Sequence, residues 1–354
     1  MLVYIVNIFL IFIWRYFFLY KYNDEKSAKV YCGIIALQWI LISGLRHISI
    51  GADTEAYSWY FYDAKSISWK RAFTRVFEYV FKGNGTIKDP GYIIFEKIGL
   101  LVSDNYQVFL LLIALIFTAF MAIWIYRNSS MPMVSYILYS TLFYSFYAVT
   151  GHRQTIATAL IVFWGYKYVK ERKLIKFALL AFIAFLIHKS SIVFIPFYFI
   201  ANIPITLPYV IVALVVIAVV AISGKSLYGV IAEWMGLNEE QIDYAKGGAE
   251  TYAVVLTIMC VIILIFYYFY KNKTEHATRI FNVTLLTLMC SLLVFQNQSF
   301  MRIQQYYSLF LMVSFPEVIK CFKEKDRTLV ATVSMGVLVC YLLMQNPQYL
   351  FFWQ

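Results

Sequence analysis

Charge and paired cysteines are what this sequence has least of. Charged residues make up 14% of its 354 residues and hydrophobic residues 62%, a balance that excludes an ordinary soluble domain. The five cysteines form no CxxC pair and no Cys/His ligand spacing, so neither a disulfide framework nor a zinc site is indicated. The chain also lacks a P-loop, a glycine-rich dinucleotide fingerprint and an HExxH motif, which removes the usual sequence signs of nucleotide or metallopeptidase chemistry.

Long apolar runs are what the sequence has instead. Runs of about twenty residues recur along the whole chain, and this is the length a helix needs to cross about 30 Å of hydrocarbon. The alternating pattern of a β-barrel strand is not seen. We therefore predict an all-α polytopic membrane protein, formed by residues 1–354 as a single transmembrane domain, with about ten full crossings.

Basic residues between the runs orient the chain. Lys and Arg collect in cytoplasmic loops of membrane proteins, which accounts for the net charge of +11 without nucleic acid as a partner. This tendency places both termini outside, together with a large extracytoplasmic loop, 46–105, and a second one, 224–250. The first apolar segment has no basic start and no small-residue cleavage site, so it is predicted to be a retained helix.

One apolar stretch does not fit a simple crossing. Residues 174–201 are interrupted at His188 and Lys189, and counting them as one crossing would put the later basic loops outside. Two half-length limbs that meet at His188 restore the loop charges. We therefore predict a short helical hairpin, since charge at that depth is tolerated only inside protein or a wet cavity.

The large outer loop carries helical patterns of its own. Trp69, Phe73, Val76, Phe77 and Val80 have helical spacing, and basic residues lie mainly away from this stripe, as in a helix at the membrane interface. Packing of the stripe over the helix bundle and contact with lipid or substrate are both consistent with the sequence.

Polar residues gather at the predicted outer ends of the spans. They are Arg46, Asp53 and Tyr57; His152, Arg153 and Gln154; His188; and Arg302 and Gln305. Taken singly, such an arginine can bind lipid headgroups, such a histidine can join two helices, and Asp53 can cap a helix that begins at Thr54. Taken together, several arginines suit an anion with forked oxygens, above all pyrophosphate.

A pyrophosphate at the outer face of a membrane is most simply that of a lipid-linked sugar. A carboxylate or imidazole beside the arginines would take the proton from an attacking sugar hydroxyl. The arginines would stabilise the charge that develops on the departing pyrophosphate.

Four short motifs, in order, resemble those of the EpsG family of bacterial exopolysaccharide proteins. Their residues here are Gly-Leu-Arg46-His-Ile-Ser-Ile-Gly51-Ala-Asp53-Thr-Glu-Ala-Tyr57, Asp89-Pro-Gly-Tyr92, Arg153-Gln154-Thr-Ile-Ala157 and Ala184-Phe-Leu-Ile-His188-Lys-Ser-Ser-Ile192. The resemblance implies a Wzy-like polymerase of O-antigen, capsule or exopolysaccharide at the bacterial cytoplasmic (inner) membrane. Its expected substrate is an oligosaccharide repeat unit on undecaprenyl pyrophosphate, and no cofactor or metal is expected.

Roles follow from this expectation. Arg46, Arg153 and Arg302 would bind the pyrophosphate, and Asp53, His188 or His152 would be the general base. Further contacts to the sugar or to the site residues are expected from Tyr57, Gln154 and Gln305. Membrane lipid, a chain-length regulator and a flippase of the same pathway are the expected partners. An O-antigen ligase-like transferase and a transporter of the lipid-linked oligosaccharide are the alternatives, although the inverted repeats common in transporters are not visible.

Overall fold

A computed structural model of the chain describes residues 1–20, 24–83, 88–235, 250–270 and 274–354. Its residues are 83% helical and form no strand, which confirms the all-α prediction. Packing divides the chain into two compact units, Met1–Ile192 with Lys325–Gln354, and Val193–Glu324. The single domain expected from the sequence stays a prediction.

In the described residues, the first unit is built from eleven α-helices, which include the segments predicted to lie outside. They are α1 (Leu2–Arg15), α2 (Glu25–Gly44), α3 (Thr54–Asp63), α4 (Trp69–Phe81), α5 (Pro90–Val102), α6 (Tyr106–Asn128), α7 (Pro132–Leu138), α8 (His152–Thr158), α9 (Gly165–Lys170), α10 (Leu174–Ile187) and, from the end of the chain, α17 (Glu324–Gln345). Helices α2 and α6 pack along each other. Trp39 of α2 is fully buried among the rings of Tyr4, Tyr139 and Tyr144.

The second unit contains the remaining α-helices of the residues that the structure describes. They are α11 (Ile195–Ile200), α12 (Leu207–Met235), α13 (Glu250–Tyr270), α14 (Glu275–Val294), α15 (Met301–Ser308) and α16 (Leu311–Lys320). Helix α12 runs to Met235, so the predicted loop 224–250 begins inside a helix. Residues 236–249 of that loop, and residues 271–273 of the basic loop after α13, lie outside the described residues.

Six helices of the described chain are long and apolar enough to cross a membrane. They cover Leu2–Tyr20, Glu25–Gly44, Tyr106–Asn128, Thr251–Tyr268, Glu275–Val294 and Glu324–Gln345. Shorter apolar helices accompany them, and the total of about ten crossings stays a prediction. Among the shorter ones, α10 and the segment Lys189–Ile200 form the two half-length limbs predicted for residues 174–201, with the interruption at His188. That they turn back as a hairpin stays a prediction.

The helical path around Gly151 is unusually rich in π-helical turns. Such turns cover Tyr139–Phe143, Ser145–Thr150 and Ala159–Trp164, on both sides of α8. Single π-turns inside α-helices are often found at functional sites. Here they flank the segment that carries His152 and Arg153.

Helix α4 has three distinct faces. Ala72 is buried against the rest of the unit, and charged residues occupy a second face. The third face is an aromatic ridge, Trp69, Phe73, Phe77 and Phe81, whose rings are all exposed. The Trp69 ring lies 5.1 Å from Lys97 Nζ of α5 and so packs within the unit. The more exposed rings of Phe73, Phe77 and Phe81 are available for lipid or substrate contact. Val76, predicted in the same stripe, is half-buried beside Ala72 instead.

Candidate functional site

The site begins with an aspartate in an unusual backbone conformation. Asp89 immediately precedes Pro90, the first residue of α5, and lies in the left-handed region with φ 47° and ψ 56°. Aspartate tolerates this region better than most residues. Next to it, a Cβ added to Gly91 would lie 2.8 Å from the carbonyl carbon of Leu186. Only glycine therefore lets the start of α5 approach the end of α10 this closely.

This approach brings one carboxylate to three donors. Arg153 donates from Nη1 to Asp89 Oδ2 at 3.3 Å, and Nδ1 of His188 lies 3.3 Å from the same oxygen. The backbone N–H of Lys189 donates to Asp89 Oδ1 at 3.1 Å. We call Asp89, Arg153 and His188 the Asp89 cluster.

The Asp89 cluster is only partly covered. The side chains of Asp89, Arg153 and His188 are 11%, 20% and 18% exposed, so it is shielded but still reachable. Burial raises the pKa of the Asp89 carboxyl, but the hydrogen bond and charge of His188, the charge of Arg153 and the Lys189 N–H together hold that pKa below its ordinary value. Asp89 is therefore an anion in the folded protein at neutral pH.

Three tyrosines surround the Arg153 guanidinium. Its carbon lies 5.3 Å from the ring centres of Tyr57 and Tyr60 and 5.2 Å from that of Tyr92, within the range of cation–π attraction. Arg153 Nε is buried and makes no hydrogen bond to a described residue. Tyr92 is buried, whereas Tyr60 is exposed, so the cage is closed on the protein side and open at Tyr60.

His152 lies behind this cage and is held from both sides. Its ring stacks on Tyr57 with centroids 4.5 Å apart, and Nε2 lies 2.7 Å from Arg46 Nη2. Because a guanidinium can only donate, Nε2 must be the acceptor, and the proton of the neutral ring is on Nδ1, 3.4 Å from the Tyr106 hydroxyl. The lone pair that a base would use is therefore occupied by Arg46.

Arg46 is part of the framework in this structure. Its side chain is 2% exposed and donates to the carbonyl oxygens of Ser43 and, at 3.0 Å, Val149. Its backbone forms an isolated bridge with Phe351 in the C-terminal tail. Arg46 thus joins the end of α2 to the turn before α8 and to the last residues of the chain.

A second carboxyl lies near Arg153. Glu96, one turn after Tyr92 on α5, is 2% exposed, and its Oε1 makes no hydrogen bond to a described residue. Burial raises the pKa of Glu96 to about 8, against the lowering effect of the Arg153 charge and with a further increase from Asp63. Glu96 therefore holds its proton at neutral pH.

The structure brings together some of the predicted site residues. Arg153 and His188 meet at Asp89, and Tyr57 and His152 pack beside Arg153. Asp53 precedes the helix that begins at Thr54, as predicted, but its exposed side chain makes no capping hydrogen bond.

Three further residues were predicted for the site, Gln154, Arg302 and Gln305. Gln154 is buried at the start of α8. Arg302 and Gln305 belong to α15 in the second unit, where Arg302 is exposed and Gln305 is buried. The roles predicted for all these residues stay predictions.

Sequence reasoning assigned no role to Asp89, Glu96, Tyr60 or Tyr92. A signal for Asp89 was present in the Asp-Pro-Gly-Tyr segment, whose glycine and proline mark a special backbone site. Its partners are 64 and 99 residues further along the chain, so no local pattern links them. Glu96 and Tyr60 carry no motif at all.

The arrangement joins a cation, an imidazole and a carboxylate at a partly open surface. It suits binding of an anion at Arg153 and proton transfer at His188. In the described parts of the chain, no group of three or more His, Cys, Asp or Glu side chains is placed to hold a metal ion.

Comparison with known protein families places a family model over most of the chain. The family model described as "EpsG family" matches residues 29–351 of the chain. Neither a curated protein nor a solved structure matches it.

Proposed function

The chain belongs to the EpsG family, whose members are Wzy-like polysaccharide polymerases, and we propose that it polymerises oligosaccharide repeat units carried on undecaprenyl pyrophosphate. The observation that carries this proposal is the Asp89 cluster, in which an anion-binding arginine and an imidazole share one carboxylate at a partly open surface.

Arg153 is the proposed donor-binding residue. A guanidinium matches the forked oxygens of a pyrophosphate, and the ring faces of Tyr57, Tyr60 and Tyr92 hold it from several sides. Its present partner is a single carboxylate oxygen of Asp89. A bound pyrophosphate offers more charge and more oxygens, and would draw the guanidinium toward the open side of the cage.

His188 is the proposed general base. With Nδ1–H donating to Asp89 Oδ2, the neutral ring keeps its lone pair on Nε2. A carboxylate that fixes the tautomer and stabilises the imidazolium is the arrangement that makes histidine an effective base in hydrolases. Asp89 would have this role for His188, and the Lys189 N–H would hold the second carboxylate oxygen in place.

The proposed step transfers the growing chain to the next unit. A hydroxyl oxygen of the non-reducing sugar of the incoming unit attacks the anomeric carbon of the donor and forms the glycosidic bond. His188 Nε2 accepts the hydroxyl proton as the bond between the anomeric carbon and the pyrophosphate oxygen breaks. The pyrophosphate leaves with the electron pair, and Arg153 stabilises its added charge.

Arg46 and His152 are proposed to position the site rather than to bind substrate. Arg46 holds His152 through Nε2, and His152 stacks on Tyr57, which in turn faces Arg153. Loss of the Arg46 guanidinium would leave the His152 ring without its orienting donor. The effect would reach Arg153 through Tyr57.

We also propose that the site faces the outside of the cytoplasmic membrane. Both termini lie at the site's end of the first unit, since Tyr4 contacts Tyr349 and Arg46 pairs with Phe351. The opposite ends of its helices carry Arg15 and Arg127, and basic ends face the cytoplasm. A chain-length regulator and a flippase remain the expected pathway partners.

The direct test uses purified protein and a synthetic lipid-pyrophosphate repeat unit. Wild type is expected to give a ladder of polymers, and Arg153→Ala to give at least about a hundredfold less product per unit time. Arg127→Ala removes an arginine from the opposite end of α6 and is expected to behave as wild type.

The products separate the alternatives. Equal ladders from wild type and Arg153→Ala would show that the site assignment is wrong. Transfer of one unit to a different acceptor would indicate a ligase-like transferase, and movement of the carrier without a new glycosidic bond would indicate a transporter.

A further inference from the structure

A cavity of about 570 Å³ lies within the first unit, away from the Asp89 cluster. It is bounded by α1, α2, the connection between α6 and α7, and α17. Its lining includes apolar residues such as Phe12, Leu19 and Met335, together with two arginines, Arg15 and Arg327.

The cavity is at the opposite end of the helices from the candidate site. On α6, Tyr106 contacts His152 and Tyr126 lines the cavity, and a rise of 1.5 Å per residue separates these two positions by about 30 Å. Helix α17 has Arg327 at its start, and the tail after its end pairs with Arg46. About 30 Å is the thickness of a hydrocarbon core, so the two sites belong to opposite leaflets.

The polar lining consists of cations and hydroxyls. Beside the two arginines, the cavity is lined by Ser129, Ser130 and Thr332, and the described lining includes no acidic residue. The Ser130 hydroxyl is buried and makes no hydrogen bond to a described residue. An anion is therefore the ligand that these donors fit, because fork-shaped guanidinium donors match phosphate oxygens.

The apolar part of the lining adds a second requirement. A free phosphate would leave the exposed Phe12 and the half-buried Leu19 of this lining uncovered, whereas a lipid brings a phosphate and an apolar tail together. Basic pockets between membrane helices are a known setting for anionic lipid headgroups. We propose that this cavity binds a lipid phosphate from the leaflet opposite the candidate site, with Arg15 and Arg327 paired to the phosphate and the tail against the apolar residues of the lining.

The test measures lipid binding by native mass spectrometry of the full chain in neutral detergent. Phosphatidylglycerol is titrated, with phosphatidylcholine of the same chains as the zwitterionic comparison. Arg15→Gln with Arg327→Gln is expected to weaken phosphatidylglycerol binding at least about tenfold, as expected for losing charge-assisted hydrogen bonds. The single Arg15→Gln variant, at an exposed side chain, should show part of this loss if the double variant folds poorly.

The matched control removes the same charge from the same end. Arg127 and Lys323 are exposed and do not line the cavity, so Arg127→Gln with Lys323→Gln should bind like wild type. If this control lost as much affinity as the cavity pair, the attraction would be diffuse and the proposal wrong. Wild-type affinity for phosphatidylglycerol in the Arg15→Gln, Arg327→Gln variant would overturn the proposal as well. So would equal binding of phosphatidylcholine and phosphatidylglycerol by the wild-type protein.

Two further ligands identify the source of the phosphate. Undecaprenyl phosphate that binds with the same dependence on Arg15 and Arg327 would support the site and assign it to the lipid carrier. If inorganic phosphate alone bound at the concentration effective for the lipids, a role for the lipid tail would be contradicted.

Discussion

Replacing Asp89 by asparagine tests the chemistry of the site most sharply. The substitution keeps the shape of the side chain and removes its charge. His188 and Arg153 both approach Asp89 as donors, at 3.3 Å each. The asparagine NH₂ group cannot accept a hydrogen bond. If it takes the place of Oδ1, the Lys189 N–H loses its acceptor, and if it takes the place of Oδ2, His188 and Arg153 both lose theirs.

The structure sets the size of the expected effect. Without the carboxylate, His188 loses the negative charge that stabilises its protonated form, and its Nδ1–H has at most a neutral amide oxygen as acceptor. A positioned general base contributes about 10²–10⁴-fold to a rate, and we expect a loss of polymerisation rate in this range. The free energy of unfolding should fall by about 1–3 kcal/mol, the usual contribution of hydrogen bonds to charged groups.

The assay compares initial rates of ladder formation by purified variants in the same membrane mimic. Asp104→Asn is the matched control, because Asp104 lies in the same outer region, is 81% exposed and pairs with Lys65 at 3.4 Å. An exposed pair contributes about 0–1 kcal/mol, so this variant should keep wild-type activity. His188→Gln should match Asp89→Asn, and the double variant should be little worse than either single one, since the residues act as a unit.

A folded Asp89→Asn protein that works within about threefold of wild type would refute this reasoning. The same conclusion would follow if the losses from Asp89→Asn and His188→Gln multiplied in the double variant. Size-exclusion profiles and melting temperatures separate these outcomes from a failure to fold.

Three other changes test separate parts of the structure. Gly91→Ala should lower the free energy of unfolding by about 1–3 kcal/mol by pushing α5 from α10. Gly336→Ala, inside α17 with open space around it, should leave the free energy of unfolding unchanged or raise it by up to about 1 kcal/mol in the same melting assay. In the folded state the pKa of Glu96 is about 8, so the carboxyl is protonated below that pH. Because the unfolded group ionises at lower pH, the free energy of unfolding should fall as pH rises toward 8. Glu96→Gln should flatten this dependence of the melting temperature on pH. If the aromatic ridge of α4 lies in the membrane, a fluorophore on a cysteine introduced at Phe77 should be quenched by nitroxide lipids, and the same label at Arg71 should not. Equal quenching at both positions would contradict this placement of the ridge.

The helical class and several helix starts could be predicted from local signals. Asp53 before Thr54 and Ser68 before Trp69 mark the starts of α3 and α4 in the sequence, although only Ser68 accepts a capping hydrogen bond. The interruption at His188 separates two limbs as predicted. Apolar length and capping chemistry act over neighbouring residues, so one sequence is enough to read them.

The centre of the candidate site could not be predicted in this way. Asp89 gains its position from a left-handed backbone and from the close approach of Gly91 to α10, which are properties of the packed chain. Arg46 was expected at the substrate because arginine near a span often faces one, yet its donors point to Ser43, Val149 and His152. Burial of this kind depends on neighbours far away in sequence.

Counting both products of one reaction tests the central claim most directly. Purified protein is given the synthetic lipid-pyrophosphate repeat unit, and new glycosidic bonds and released undecaprenyl pyrophosphate are measured together. We predict one pyrophosphate released for each bond formed, with both lost in the Arg153→Ala and Asp89→Asn variants. Bonds formed without release of the lipid pyrophosphate, or full release by these variants, would contradict the proposed function of this site.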